Sequence, residues 1–468
     1  MKYNFILNKF FNYFFSIQFA LILMSFYGLA IGVATFIEND YGTVAAKATV
    51  FNTWWLELCL ILLVSIFLFN IYKYKLLSTK RLPVLFFHLS FILIIIGAGI
   101  TRYIGEEGVM RIREGSFNNK FVSETTYLDF KIHDNISEFV GKKDLLLSSI
   151  SNNNFSIPIN FSDKKIKIEY FDFINDPTDK LTENSSDGRE IMELIVPDVN
   201  GGMKSEYLEK NTQKKINSLV FSFDLDNSVD FNIFVKDSVF YFSSIYDVTF
   251  MKMSNQKRGI LESNKKHILS KKTLYTINGK NVVFKNYFNN AKIEKVAASM
   301  KNNKELSDLL KLKISVNDTD TIIDLIGNKG LVSPKNYFSF QNLFFSLGYG
   351  SKSLELPFAI YLYDFQLERY PGSESPSSFA SEIQVLDGDN KFDYRIFMNN
   401  VLNYKGYRFF QSSYDSDEKG TILSVNKDKP GTIVTYLGYL CLMLSVFSLV
   451  LSRFSRLNIL SKKIKTNN

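Results

Sequence analysis

The sequence contains few of the residues that usually build reactive sites. Its 468 residues include only two cysteines, two tryptophans and three histidines. Cys59 and Cys441 form no C-x-x-C pair, so we do not expect the chain to act as a dithiol reductant. Both lie in apolar runs, which leaves the long middle region without thiols or disulfides. A region of that size can bury a core without cross-links.

Patterns typical of self-contained active sites are also missing. The sequence has no G-x-S-x-G and no zinc-type cluster, and GYGSKS at 348–353 lacks the spacing of a phosphate loop. His133 and His267 lie in polar surroundings and are predicted to be surface residues. We therefore expect no complete catalytic centre in this chain.

Positive charge is concentrated beside the apolar runs. The formal net charge is +8, but the middle of the chain is close to neutral. A nucleic-acid-binding domain would carry its basic excess on the folded region, so that class is disfavoured. The basic residues that flank the apolar runs are Lys2, Lys9, Lys73, Lys75, Lys80, Arg81, Arg453, Arg456, Lys462, Lys463 and Lys465.

The most prominent feature of the sequence is its long apolar runs. Four of them cover about 14–37, 54–72, 82–101 and 431–452, and each is long enough to cross a bilayer as a helix. The first run is too long for a cleaved signal peptide and no small-x-small cleavage site follows it. We therefore expect an uncleaved anchor.

Lysine and arginine mark the cytoplasmic side of a membrane protein. The basic clusters predict four crossings with both termini in the cytoplasm and a large domain on the outer side of the membrane. The predicted organisation is a three-helix region at 1–103, an extracytoplasmic domain at 104–430, the fourth helix at 431–452 and a basic tail at 453–468. Trp54 and Trp55, where the second helix begins, are predicted to belong to an interfacial aromatic belt.

One residue of the third run, His88, is foreign to an apolar helix. A titratable ring in hydrocarbon is expensive and usually faces a partner, a cavity or a ligand. Neutral imidazole can be an axial haem ligand or a proton relay, and it can also simply bond a neighbouring helix. The residues alone leave these three interpretations open.

The outer region is predicted to be mainly β. LVFSFDLD from Leu219 alternates in hydrophobicity with period two, and Asn278-Gly279 between two β-prone runs predicts a hairpin. We expect a helix around 292–310, a polar loop or insertion at 177–213, and a solvated connection from Arg102 to Asn119. The fold class is thus an integral membrane protein with a mainly β domain between helices three and four.

Several segments resemble the ResB (CcsB) family of cytochrome c biogenesis proteins, part of the System II haem attachment machinery. They are FFSIQFALILMSFYGLAIGVATFIENDYGT, FFHLSFILIIIGAGITRYIGEEGVMRIREG, LPFAIYLYDFQLERYPGSESP and YKGYRFFQSSYD. The resemblance covers both membrane regions and the last third of the outer domain, but not about 120–340.

The resemblance implies a subunit of a cytochrome c synthase complex. Such proteins work with a tryptophan-rich membrane partner of the CcsA or ResC type, carry haem outward, and attach it to C-x-x-C-H sites of apocytochromes c. His88 matches the family's third-helix histidine, an axial haem ligand paired with a histidine of the partner. Because only Trp54 and Trp55 are present, an unfused subunit is predicted. The alternatives are a haem-free assembly scaffold and a ligand-sensing membrane protein.

Overall fold

Four long helices are the apolar part of the structure, a computed structural model that describes residues 13–198, 201–225, 229–237, 239–297 and 307–451. They are α1 (Ile17–Tyr41), α2 (Trp54–Lys73), α3 (Leu82–Ile104) and α4 (Lys429–Leu451). All four are long and apolar enough to cross a membrane. The predicted basic tail at 453–468 lies outside the described residues.

Local chemistry accounts for both ends of α1 and for the start of α3. The hydroxyl of Ser16 accepts a hydrogen bond from the amide of Phe19 and so caps α1, and Gly42, with φ +85°, ends it. Pro83 lies in the first turn of α3, where the missing amide hydrogen costs nothing. A short helix, Thr43–Ala46, and a π-helical turn, Lys47–Phe51, connect α1 to α2.

Helices α3 and α4 pack backbone to backbone. A Cβ atom added at Gly97 would lie 2.9 Å from the amide nitrogen of Thr435, and one at Gly438 would lie 3.1 Å from the carbonyl oxygen of Ser90. A Cβ at Gly99, by contrast, would meet nothing within 4 Å. Small residues at such contacts let membrane helices approach closely.

Five strands come directly after α3. They are β1 (Glu106–Arg113), β2 (Phe117–His133), β3 (Glu138–Leu145), β4 (Ser156–Phe161) and β5 (Lys164–Ile174). The next twelve are β6 (Pro177–Glu183), β7 (Arg189–Pro197), β8 (Met203–Glu209), β9 (Thr212–Ile216), β10 (Leu219–Phe223), β11 (Phe231–Lys236), β12 (Val239–Ser243), β13 (Val248–Lys252), β14 (Arg258–Leu261), β15 (His267–Ile268), β16 (Thr273–Ile277) and β17 (Lys280–Ala297). The last nine are β18 (Asp308–Val316), β19 (Thr319–Gly327), β20 (Lys335–Phe340), β21 (Leu343–Arg369), β22 (Pro376–Asp387), β23 (Asn390–Phe397), β24 (Leu402–Tyr404), β25 (Tyr407–Tyr414) and β26 (Gly420–Lys427).

The described residues form two compact units, of which the first comprises 13–176 and 307–451. Besides the helices it holds a sheet in the order β23-β22-β21-β2-β1-β26-β25-β24, to which β20 and β3 are joined, and a four-stranded sheet, β19-β18-β5-β4. One core packs between the four-stranded sheet and the β2–β21 pair, with Leu128, Phe345 and Ile314 at its centre. A second core lies inside the other half of the large sheet.

That half of the large sheet curls so strongly that strands distant in the hydrogen-bonding order meet. The hydroxyl of Ser381 on β22 donates to the side-chain oxygen of Gln411 on β25 at 2.7 Å, and it lies 2.9 Å from the hydroxyl of Thr421 on β26, from which it accepts. Ser381 and Thr421 are fully buried. Because buried polar groups are stable only when hydrogen-bonded, this network fixes the curl.

The second unit comprises 177–297 and is all β in the part that the structure describes. Its sheets have the orders β15-β12-β11-β10-β9 and β14-β13-β16-β17-β7-β8, with β6 beside β17. One core, centred on Phe223, Phe231 and Phe242, joins the two sheets. Strands β10 and β11 are parallel, an arrangement that the sequence pattern did not reveal.

The predicted fold class is confirmed, with four apolar helices and a mainly β region between the third and the fourth. The Asn278-Gly279 hairpin is also confirmed, since both residues have positive φ, 43° and 74°, and join β16 to β17. These are the angles of a type I′ turn, which matches the twist of the strands it connects.

Three local predictions are wrong. The supposed loop at 177–213 consists largely of strands, and its polarity arises because β6 and β8 lie at sheet edges. The expected helix at 292–310 is the end of β17 and the start of β18, with residues 298–306 outside the described part. The supposed solvated connection from Arg102 is the end of α3 followed by β1, which pairs with β26 over eight residues.

Replacement of Gly97 by alanine should weaken the contact between α3 and α4, because the backbone of Thr435 would have to move. Overpacking of this kind typically costs about 1–3 kcal/mol of unfolding free energy. Gly99→Ala is the matched control and should cost nothing, since its Cβ would enter open space. The thermal unfolding midpoints of the two variants are measured in detergent. Dye labelling of the buried thiol of Cys59 is the signal for unfolding. Equal midpoints for the two variants would contradict the packing.

Asp308 predicts a pH dependence of stability. Burial raises the pKa of its carboxyl group from 3.8 to about 6, although the amide of Asn175 donates to it at 2.6 Å. Because the folded-state pKa exceeds the unfolded one, this group favours folding below about pH 4 and loses that contribution as pH rises through about 6.

Asp308→Asn should therefore raise the unfolding free energy at pH 7.5 by about 1–3 kcal/mol and flatten its pH dependence between 5 and 7.5. Asp318→Asn, at an exposed turn position, is the control and should change neither quantity. Unfolding midpoints of the native chain and both variants are measured across this pH range. An unaltered pH profile in Asp308→Asn would refute the claim that Asp308 causes the pH dependence of stability.

Candidate functional site

His88 lies in the second turn of α3, roughly 9 Å along the helix from its first residue. Its side chain is half-buried. The ring of Phe67 on α2 meets it edge-on at 5.6 Å between centroids, and the ring of Phe87 lies at 6.2 Å. The histidine is therefore held at the α2–α3 contact by aromatic neighbours and not by an opposite charge.

The hydrogen bond of His88 defines its tautomer. Nδ1 lies 2.9 Å from the carbonyl oxygen of Val84. A carbonyl only accepts, so Nδ1 is the donor of this bond, and in the tautomer protonated at Nδ1 the lone pair lies on Nε2. Among the residues that the structure describes, no group bonds Nε2. A metal-binding histidine commonly donates its other ring nitrogen to a backbone carbonyl in this way, so the ring has the form that an iron ligand needs.

Apolar residues of α3 pack around His88 against α2. Leu85 and Ile92 are buried, and Ile92 packs with Cys59, Leu63 and Phe67 of α2. The two thiols are free, Cys59 being buried and Cys441 half-buried. This packing fixes the α3 face that carries His88 against α2.

Asn70 is a polar residue near this site that the sequence analysis missed. It lies on α2 one turn beyond Phe67, and its side chain is only 3% exposed. Within the described chain its Oδ1 atom is buried without a hydrogen-bond partner. A buried unbonded amide oxygen is costly, and an asparagine inside an apolar helix is the signal that could have identified it.

The opposite end of α3 is tied to its neighbours by charge. Arg102 forms an ion pair with Glu57 of α2 and donates to the carbonyl of Phe51 at 3.1 Å. The hydroxyl of Tyr103 donates to the same Glu57 at 2.6 Å. Trp54, predicted to be interfacial, is 75% exposed at this end, while Trp55 packs edge-on to Phe26.

The junction between α3 and α4 is closed by a second polar contact. Thr101 donates to the buried carboxylate of Asp428, which also accepts from the amide of Gly431 at 3.1 Å and so caps α4. Asp428 lies between the end of β26 and the start of α4. This one side chain therefore joins the membrane helices to the sheet.

The segments quoted for the family resemblance meet in the large sheet. Asp415, with a side chain only 1% exposed, pairs with Arg111 at 2.5 Å and with Arg113 at 2.6 Å. Arg113 also bonds Asp417 in bidentate fashion and thereby lowers the pKa of that carboxyl group. The carboxylate of Glu114 accepts from the amide of Phe365 at 2.8 Å. These contacts link β1 to β21 and to the β25–β26 turn.

The other two histidines lie in β strands. His133 on β2 stacks on Phe344 at 5.0 Å, and Nε2 of His267 on β15 lies 2.8 Å from the carbonyl oxygen of Glu262. Among the described residues, no group of three or more histidine, cysteine, aspartate or glutamate side chains could hold a metal ion. The structure thus brings no second histidine to His88.

The fold and its polar contacts define a membrane protein whose large, mainly β region is inserted between the third and fourth of its four candidate membrane helices.

Comparison with known proteins then gives the family. Residues 335–438 match the ResB-like family. The chain is 30% identical over 442 residues to Protein NrfI of Wolinella succinogenes, an alignment that covers 93% of this chain and 35% of that protein. Residues 335–438 thus form a ResB-like domain, and the longer alignment with NrfI agrees with the family that the sequence resembles. It spans about a third of the length of the curated relative it matches.

Among solved structures, MucB in complex with MucA(peri) aligns with 51% of this chain and 88% of its own, at 9% identity and a TM-score of 0.09. A likeness this low carries no argument about the fold.

Proposed function

We propose that this chain is a subunit of a membrane cytochrome c synthase complex, which carries haem outward and helps to attach it covalently to C-x-x-C-H sites of apocytochromes c. The observation that carries the proposal is His88, an intramembrane histidine whose Nδ1 donates to a backbone carbonyl while Nε2 has no partner among the described residues, in a chain with a ResB-like domain. Haem is here the cargo, a b-type haem in transit.

His88 acts as one axial ligand of the haem iron in this proposal. Imidazole is a good ligand for haem iron, and the hydrogen bond from Nδ1 to Val84 holds the ring in one orientation. The flanking rings of Phe67 and Phe87 supply flat apolar surface of the kind that a porphyrin contacts. The second ligand is a histidine of the partner, since the structure brings none of this chain's own described histidines to the site.

The partner is a tryptophan-rich membrane protein or segment of the CcsA or ResC type. This sequence has only Trp54 and Trp55, so the haem-handling motif must be supplied by another polypeptide or by a further part of the same one. NrfI is about three times as long as the stretch aligned here, which is compatible with the second arrangement. That the chain is an unfused subunit stays a prediction.

The contribution of this chain is positional and not chemical. Thioether formation needs reduced substrate thiols held beside haem, and the only cysteines here lie in α2 and α4. Holding two reactants in the right geometry can supply much of a rate enhancement. The β region, in this proposal, holds the apocytochrome or braces the partner.

The location proposed is the bacterial inner membrane, with both termini cytoplasmic and the β region outside. The support is the clustering of lysine and arginine before α1, between α2 and α3, and after α4. His88 then lies near the cytoplasmic face, on the side from which haem enters. Outward delivery follows from this orientation.

The function is tested by cytochrome maturation in a bacterial host that lacks its own system. The chain is co-expressed with a tryptophan-rich partner and a C-x-x-C-H reporter, and covalent haem is read from denaturing gels by peroxidase stain. The native chain should yield holocytochrome, and His88→Ala should lose most of it, because one iron ligand is gone.

His133→Ala is the matched control, since it removes a histidine that stacks on Phe344 in a β strand. It should retain the native yield. Covalent haem that is formed equally well without the chain would refute the proposal. Equal yields from His88→Ala and the native chain would make the chain a haem-free scaffold.

A further inference from the structure

A cavity of about 360 Å³ lies where the β region meets the fourth helix. One wall is the tight hairpin that joins β24 to β25, and the other is the first two turns of α4. Its lining residues are Asn403, Tyr404, Lys405, Gly406, Tyr407, Arg408, Lys429, Thr432, Ile433 and Tyr436. All of them belong to the first compact unit.

The hairpin wall has a defined shape. Lys405 and Gly406 both have positive φ, 47° and 86°, which gives a two-residue turn. Two contacts fix the side chain of Tyr404. Its hydroxyl donates to Asp387 at 2.7 Å, and its ring packs edge-on against the ring of Phe358 with 4.9 Å between centroids. The wall is therefore preformed and does not need a ligand to order it.

The lining carries three cations and no carboxylate. Lys405 pairs with Asp387 at 2.6 Å, but Lys429 has no ion pair among the described residues. Arg408 has its Nε atom buried without a hydrogen-bond partner in the described chain, and its guanidinium lies 5.2 Å from the ring of Phe410. A buried donor without an acceptor is costly, so an anionic ligand beside Arg408 would be stabilised.

The acid that precedes Lys429 in sequence forms no ion pair with it. Asp428 immediately precedes Lys429, but its carboxylate is bonded to Thr101 of α3 and to the amide of Gly431. It is buried on the side of α4 that faces α3. The positive charges of Arg408 and Lys429 therefore stay available to a ligand, whereas that of Lys405 is paired with Asp387.

The cavity changes character along α4. Beyond Lys429 and Thr432 its lining becomes apolar, with Ile433 49% and Tyr436 57% exposed. Leu437 and Leu440 continue the exposed apolar surface along a helix long enough to cross the membrane. A cationic end above an apolar helix surface is complementary to an amphiphile with an anionic head.

We propose that this cavity binds the phosphate of an anionic phospholipid. Arg408 and Lys429 contact the phosphate, and the acyl chains lie along Ile433 and Tyr436. The proposal does not depend on the haem function proposed above, because it requires only that α4 lies in a bilayer. Its failure and the failure of the haem proposal are therefore distinguishable.

Native mass spectrometry of the detergent-purified full chain tests this site. The protein is titrated with dioleoyl-phosphatidylglycerol and separately with dioleoyl-phosphatidylcholine, and the lipid-bound fraction is measured. We expect the first bound peak to prefer phosphatidylglycerol. Arg408→Gln with Lys429→Gln should weaken that binding by about 25-fold, at about five-fold for each cation removed near an anionic headgroup.

Lys391→Gln, at an exposed position of β23 in the same sheet, is the matched control and should bind like the native chain. Lys429→Gln alone, at an exposed position, keeps the test usable if the double variant does not fold, and it should lose about five-fold.

A second arm adds millimolar inorganic phosphate to the lipid-bound protein. Retention of the lipid supports a headgroup site. Full displacement by phosphate would overturn the lipid assignment and leave a site for free phosphate. Equal binding of phosphatidylcholine, or unchanged binding in the double variant, would overturn the proposal altogether.

Discussion

The contact between α3 and α4 is the constraint on which the rest of this structure depends. Gly97 and Gly438 bring the two backbones together, and Thr101 and Asp428 close the end of the contact. The strands that continue these helices, β1 and β26, are hydrogen-bonded neighbours from Glu106 and Lys427 onward. The helix pair α3–α4 thus continues into the strand pair β1–β26 with almost no linker. Asp428 lies between β26 and α4, and its carboxylate caps α4 and accepts from Thr101 of α3. Every strand of the large sheet is added to that strand pair.

This constraint also determines what His88 can do. It is thirteen residues from Thr101 on the same helix, which is roughly 20 Å along the helix axis. The Arg102–Glu57 ion pair fixes the far end of α3 to α2, and the aromatic contact with Phe67 fixes the near end. Movement of the sheet by a bound partner would therefore be transmitted to α3 as a rigid element. In the proposed function, His88 would be the haem ligand at one end of α3, and the β region at the other end would bind the protein partner.

Sequence reasoning succeeded where the local signal was strong. Unbroken apolar runs placed the four helices, and Asn278-Gly279 placed a hairpin, because both depend on near neighbours only. Sequence reasoning failed where tertiary contacts determine whether a segment is a strand or whether a charged side chain is buried. Strands β6 and β8 look like loops because one face of an edge strand is solvated. Asp415 looked like one scattered acid among many, yet it is buried between Arg111 and Arg113, which are about 300 residues away in sequence. His88 was identified by its apolar surroundings, whereas the tautomer required the carbonyl of Val84.

The central claim is that Nε2 of His88 is an iron ligand, and chemical rescue in the purified complex tests it most directly. In His88→Gly the ring is deleted, and free imidazole can occupy the space it leaves. We predict that the Soret band of the complex with its tryptophan-rich partner shifts or disappears in His88→Gly and returns to the native position when imidazole is added. His267→Gly, which removes a ring from a β strand, should have the native spectrum with or without imidazole. A native Soret band in His88→Gly without imidazole would contradict the claim and would leave His88 as a packing residue between two phenylalanines.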